Sequence, residues 1–233
     1  MKKILKRLGK TFYHFEGDVH TQYGVIKEGD LVGNRVKSNT GKEFIMFDAK
    51  FVDSLKKIKR AAAVMHLKDI GIIIAYAGIG KETVCVEAGA GSGMLTSCLA
   101  HVCKQIYSFE KVESNFKLVK KNLEKLGLTN VDIVNEDVSG LDKKDVDVIV
   151  LDLPNPWDYL DVCYSGLKSG GFLVCYLPTV TQVSDLTRSF KDEFIVERII
   201  EVLEREWVAE GKKVRPLNQM LGHTAFLVFL RKV

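Results

Sequence analysis

From residue 83 onward, the apolar positions of the chain switch between two periods. Short runs of strand length, Thr83 to Glu87, Gln105 to Glu110, Val131 to Asn135, Val146 to Asp152 and Phe172 to Leu177, are separated by stretches with helical spacing. Met94 to Val102 is one such stretch, and Tyr159 to Leu167, followed by a turn at Ser169-Gly170-Gly171, is another. Between them, Val112 to Leu126 places Val112, Phe116, Val119, Leu123 and Leu126 on one stripe and Lys117, Lys120, Lys121 and Lys125 off it, with Gly127 suited to the left-handed residue that ends a helix. Strands alternating with helices predict an α/β fold: a parallel sheet with helices on both faces. Upstream, Asp69 to Tyr76 predicts a helix stopped by Gly78-Ile79-Gly80. The first 50 or so residues follow another pattern, short aromatic and β-branched runs broken at Glu16-Gly17-Asp18, Glu28-Gly29-Asp30 and Asn39-Thr40-Gly41, which predicts short strands. The chain therefore divides into a small β module over residues 1–55, either a structural cap or a substrate-binding appendage, and a main domain over residues 56–233.

Composition removes several classes of protein. With 233 residues, 46% hydrophobic and 27% charged, the chain can bury an ordinary core and is not disordered. A net charge of +4 permits a polyanionic partner without requiring one. The basic start, Met1 to Phe12, is followed by no apolar core of export-signal length. The longest apolar run, Ile70 to Ile79, is interrupted by glycines and is about half of what a membrane-spanning helix needs, so no membrane association is expected. Five cysteines form no C-x-x-C pair and no metal-ligand spacing. Cys85, Cys98, Cys103, Cys163 and Cys175 read as reduced thiols, three of them within apolar strand or helix patterns, in a cytoplasmic protein.

The candidate chemistry centres on Val84 to Thr96, VCVEAGAGSGMLT: an apolar run, an acid, then a G-x-G-x-G turn of Gly89, Gly91 and Gly93 opening a helix. Glycines let the backbone bend sharply and a ligand approach closely, and the free N–H groups of the new helix favour an anionic end. A dinucleotide fingerprint wants its third glycine where Met94 stands, which tilts the ligand away from NAD. E-A-G-A-G-S-G resembles motif I of the class I S-adenosylmethionine (SAM) methyltransferases. Ligands of parallel sheets bind at the carboxyl ends of the strands, where Glu87, Glu110, Asp137 and Asp152 fall. Glu110 follows Gly93 at close to the offset, about 20 residues, at which an acid holds ribose hydroxyls. Asp137 can accept a hydrogen bond from an adenine amine. Both SAM and NAD contain adenosine, so the acids indicate the site and leave the reaction open.

After the strand ending at Leu151 the chain reads DLPNPW, Asp152 to Trp157. This hexamer resembles the D-[LM]-P-x-P-W signature of the tRNA adenine-N1 methyltransferases that modify position 58 of the T-loop. YLPT at Tyr176 to Thr179 is similar to that family's segment after its fifth strand. Arg205-Glu206-Trp207, Arg215-Pro216 and GHTAFLVF at Gly222 to Phe229 resemble its C-terminal hairpin. The matches run in order from about residue 66 to the C-terminus, and archaeal members of the family act at both 57 and 58.

The resemblance implies a Rossmann-like class I SAM methyltransferase sheet with a C-terminal antiparallel hairpin, preceded by the small β module. It implies SAM as methyl donor, S-adenosylhomocysteine as product, tRNA as substrate, and a homotetramer. By carry-over, Ser92, Gly93, Met94 and Leu95 meet the methionine moiety beside Gly89 and Gly91, Glu110 the ribose, Asp137 the adenine, and Asn115 the edge of the site. His66, in a segment where relatives carry Pro-Lys-Asp after an aromatic or histidine and this chain has Leu67 for the proline, faces the target base, as does Tyr176. His223 and Arg215 approach the pocket, Arg215 for RNA contact. Adenine N1 already has a lone pair, so transfer needs an in-line approach more than a base. Asp152, accepting from the exocyclic amine, fixes the base and stabilises the positive charge that develops. Pro154 and Pro156 stiffen that loop and Trp157 supplies a packing face. Three other readings remain: a SAM methyltransferase of a small molecule or protein, a non-catalytic tRNA-binding subunit, and an NAD-dependent oxidoreductase.

Overall fold

The computed structural model describes residues 2–61 and 64–233, and its contacts divide the chain into two units, Met1–Ile58 and Lys59–Val233. In the first, β1 (Lys3–Arg7), β2 (Lys10–His14), β3 (Val19–Thr21), β4 (Gly24–Ile26), β5 (Arg35–Lys37) and β6 (Glu43–Asp48) precede a short helix, α1 (Phe51–Leu55). An antiparallel sheet runs β2-β1-β6-β5, and β3 pairs with β4 as a separate ribbon. Alternation in β6 sends Phe44 and Met46 inward and Ile45 and Phe47 outward, and the inward pair meets Leu5, Val19, Ile26, Leu31 and Val36 in one core. Phe12, Tyr23 and Phe44 pack edge to face, with the Arg7 guanidinium over the rings of Tyr23 and Phe44.

The second unit begins its regular structure with α2 (Leu67–Tyr76). His66 is extended and caps this helix by position, so Leu67 takes the first helical place, where a proline is also accommodated. Then follow β7 (Val84–Ala88), α3 (Met94–Val102), β8 (Gln105–Phe109), α4 (Glu113–Leu126), β9 (Val131–Val134), β10 (Val146–Leu151), α5 (Leu160–Gly166), β11 (Leu167–Leu177), α6 (Val180–Arg188), β12 (Phe194–Glu201), β13 (Trp207–Glu210), β14 (Lys213–Pro216) and β15 (Phe226–Lys232). Seven strands form one sheet in the order β12-β15-β11-β10-β7-β8-β9. The five from β11 to β9 are parallel, and β15 enters antiparallel between β11 and β12. The alternation of periods thus yields the predicted α/β sheet, with its central strands buried on both faces; α4 closes on Gly127 at φ 69°.

Two local details differ from the pattern. Ser169-Gly170-Gly171 lies within β11, where the register against β10 jumps from Val146/Leu167 to Val148/Phe172. The extra residues bulge while the strand stays paired, and Gly170 takes a φ of 74° there. The C-terminal segments also separate: β13 and β14 make a hairpin of their own, whereas Phe226–Lys232 is a strand of the main sheet. Leu227 to Leu230 are fully buried, and only a sheet interior covers both faces of such a run. No helix among the described residues is long and apolar enough to cross a membrane.

Candidate active site

Strand order reverses at β7, with β8 and β9 to one side and β10 and β11 to the other. A ligand crevice is expected at the carboxyl ends beside such a switch point. A cavity of about 370 Å³ lies there, walled by Gly89 and Gly91, Glu110, Asn115, Asp137 and Asp152, together with flanking residues that include Phe109, Val112 and Leu153. Its size falls in the usual range for small-molecule sites, roughly 300–1,000 Å³.

The glycine turn is shaped by its contacts. Gly89, at φ 88°, sits so close to the β10 end that a Cβ there would stand 2.2 Å from the Asp152 carbonyl oxygen. The residue that carries this oxygen is itself tied to β7, since the Asp152 N–H donates to the Ala88 carbonyl at 2.9 Å. Gly93 opens α3 in the left-handed region, and a Cβ on it would meet Val119 of α4 at 3.0 Å. Behind the turn, buried Asn122 donates to the carbonyls of Ser92 and Lys59 and accepts from the Lys59 N–H. Ser92, Gly93, Met94 and Leu95 are buried on this inner side and are not part of the cavity wall.

Three of the four strand-end acids reach the cavity, each held differently. Glu110, 5% exposed, accepts from the Gly91 N–H with one carboxylate oxygen and from the Val112 N–H with the other, both at 2.8 Å. A carboxylate has about four acceptor positions, so two remain for hydroxyl donors in the cavity. Asp137 accepts from the Ser139 N–H and the Tyr159 hydroxyl, each at 3.0 Å, and the Ser139 bond above all holds its pKa below the usual carboxylate range. Asp152 has no side-chain partner among the described residues, and burial alone pushes its pKa up to about 6. Its loop is steadied from α6, where Gln182 completes a capping box with Thr179 and donates to the Pro154 carbonyl at 2.9 Å. Trp157 packs against the main core.

Glu87 differs from the strand-end reading. It is 1% exposed, inside β7 and outside the cavity wall, where burial raises its pKa to about 7 despite a hydrogen bond from Ser108.

The four residues expected at the substrate, His66, Tyr176, Arg215 and His223, are likewise outside this wall. Tyr176 is one position beyond Cys175, which pairs with Leu151 just before Asp152, so Tyr176 and Asp152 are neighbours at the strand ends. The Tyr176 hydroxyl donates to Asp69. His66 is exposed at the start of α2. Arg215 donates to the Pro216 carbonyl and to Asn218 within the hairpin region. His223 directs one ring nitrogen at Glu201 and the other at the Pro178 carbonyl, an arrangement that only the imidazolium satisfies with two donors; Glu201 chiefly raises its pKa. Sequence reasoning passed over Lys68, Asp69 and Thr224, which surround Tyr176, and Asn122 and Gln182, which brace the two loops. The signals available were the adjacent charges Lys68-Asp69 opening an apolar helix and the place of these residues within the segments that resemble the family.

Known proteins carry the same framework. Residues 56–215 match the family described as tRNA methyltransferase complex GCD14 subunit. The chain is 34% identical to the tRNA (adenine(57)-N(1)/adenine(58)-N(1))-methyltransferase TrmI of Methanocaldococcus jannaschii, over 91% of this chain and 86% of that one. The crystal structure of tRNA (m1A58) methyltransferase TrmI from Aquifex aeolicus superposes with a TM-score of 0.86 at 28% identity, covering 100% of this chain and 97% of that one. A Thermotoga maritima structure described as a SAM-dependent O-methyltransferase gives 0.87 at 29% identity, covering 100% and 92%. The chain belongs to the tRNA (adenine-N1)-methyltransferase family, and its sheet is that of the class I SAM-dependent methyltransferases.

Proposed function

We propose that this protein methylates N1 of adenine at T-loop position 58 of tRNA, using SAM and releasing S-adenosylhomocysteine. The cavity fits the donor. Its two glycines admit a close backbone approach, Glu110 keeps two acceptor positions for ribose hydroxyls, and Asp137 lines the cavity as an acceptor for an adenine amine. When bound, SAM supplies a sulfonium methyl group, which N1 takes with its lone pair while sulfur keeps the electrons of the broken bond.

The observation that carries the reading is Asp152. It is a carboxylate at the end of β10, partly withdrawn from water, with no protein donor among the described residues to satisfy it. Such a group is costly to leave unpaired, so it awaits a donor from the substrate. The exocyclic amine of adenine is that donor, and the bond strengthens as positive charge spreads from N1 toward the amine. Asp152 is therefore the catalytic residue. Tyr176, His66, His223 and Arg215 supply the surface for the target base and its RNA.

The working assembly is a homotetramer. What supports this is the apolar surface available for contacts between copies: Trp207, Val214, Met220 and Leu221 in and after the hairpin, and Ile195 and Ile199 of the edge strand β12, are all exposed. Its location is cytoplasmic, in keeping with five free, buried cysteines.

The test is methylation of an unmodified tRNA transcript with labelled SAM, followed by nucleoside analysis and site mapping. N1-methyladenosine at position 58, alone or with 57, is the expected product. Label in a 2′-O-methylated or other nucleoside would overturn the assignment. Asp152→Asn should lower kcat by about 100- to 1,000-fold, the usual effect of losing one preorganised electrostatic contact.

A further inference from the structure

Tyr176, assigned to the substrate, belongs to one buried polar cluster whose other members lie close in sequence to His66 and His223. The Lys68 ammonium donates to Asp69 Oδ1 at 2.7 Å and to Thr224 Oγ1 at 2.6 Å. The other Asp69 oxygen accepts from the Tyr176 hydroxyl at 3.2 Å. The Lys68 side chain is 6% exposed and Asp69 is fully buried. Tyr176 is itself a member, Thr224 follows His223, and Lys68 lies in the first turn of the helix that His66 caps.

An ion pair withdrawn from water is a poor way to gain stability, and apolar side chains of similar volume often do as well or better. What the pair supplies is direction. Lys68 and Asp69 have one fixed bond to each of two other segments, the end of β11 and the stretch before β15. The bond to Asp69 fixes the Tyr176 hydroxyl, and with it the side chain, at the strand end next to that of Asp152.

We infer that Lys68 is a positioning residue for methyl transfer: through Asp69 and Thr224 it holds Tyr176 and the segment carrying His223 as one wall of the target-adenine pocket. The inference rests on the adenine-N1 reading above. Lys68 touches neither donor nor base. It acts by keeping the acceptor within the narrow range of approach angles that in-line transfer requires.

The experiment compares full-length wild type, Lys68→Met, Tyr176→Phe and the double variant. Initial rates on tRNA transcript at saturating SAM are paired with S-adenosylhomocysteine binding by calorimetry. Lys68→Met should lower kcat about tenfold or more, and Tyr176→Phe, which keeps the ring and removes the hydroxyl that bonds Asp69, about threefold. The double variant should be no slower than Lys68→Met alone, because both changes break one chain of contacts. S-adenosylhomocysteine affinity should stay within about twofold of wild type, a split that general loosening of the fold does not produce. Multiplying effects in the double variant, or cofactor affinity falling in step with kcat, overturns the proposal. Should Lys68→Met fail to fold, Thr224→Val tests the same link by removing one bond, and an unchanged kcat there overturns it too. Failure of the underlying reaction shows separately, as no N1-methyladenosine from wild type.

Discussion

Gly89 and Gly91 offer a controlled test of how the cofactor turn is built. Both have positive φ, 88° and 57°, so alanine at either position incurs a left-handed backbone, about 1–2 kcal/mol. Only at Gly89 does the new methyl group also collide: it would lie 2.2 Å from the Asp152 carbonyl oxygen, while at Gly91 the nearest atom is 3.9 Å away. That oxygen is a backbone atom of a residue whose N–H is bonded to β7, so it cannot swing aside as a flexible side chain would. Forcing extra volume into a packed site adds roughly 1–3 kcal/mol, for a total of about 2–5 kcal/mol at Gly89. For a chain of this size each kcal/mol lowers Tm by about 2–4 °C, so Gly89→Ala should melt about 10 °C below wild type and Gly91→Ala about 4 °C below. Because the collision separates the turn from the Asp152 loop, Gly89→Ala should also weaken SAM binding more than Gly91→Ala. Scanning calorimetry with and without SAM reads both effects. Equal Tm losses in the two variants would refute the close-contact reasoning, whatever the absolute values.

Three further outcomes follow from the acids. Burial raises Asp152 to about 6 and the role proposed for it needs the carboxylate, so kcat/KM for SAM should rise with pH through that region. Asp152→Asn should flatten the rise, and a slope that persists in the variant would assign the titration elsewhere. Glu87 is raised by burial from an ordinary 4.5 to about 7, so between those values the unfolded chain loses its proton first and folding stability falls as pH increases, by roughly 3 kcal/mol in all. Denaturation of wild type and Glu87→Gln from pH 4 to 8 checks this; the variant should lack that decline. Glu110→Gln replaces one acceptor oxygen with an NH2 group that cannot accept, so either the Gly91 or the Val112 N–H loses its acceptor, and SAM binding should weaken by about 1.5–3 kcal/mol, measurable by calorimetry.

The periodicity of the chain determined the succession of strands and helices, the parallel sheet, and the glycine turn with acids at the ends of its neighbouring strands. These features are local, because a period of two or 3.6 residues and a turn glycine are properties of adjacent residues. The short motifs likewise placed Asp152 and Glu110 at the strand ends, because chain direction alone puts those ends on one rim. Only the tertiary structure decided which acids face the cavity: Glu87 and Glu110 both belong to the strand-end pattern, yet Glu87 lies inside β7 and Glu110 is turned to two backbone N–H groups. It also decided that Phe226–Lys232 enters the main sheet while Trp207–Pro216 folds on itself, a choice made by partners far away in sequence. Lys68 meets Thr224 across 156 residues, and Asp69 meets Tyr176 across 107. No spacing rule reaches that far; such contacts exist only once the sheet has brought helix start, strand end and C-terminal segment together, and burial has obliged each polar group to find its partners there.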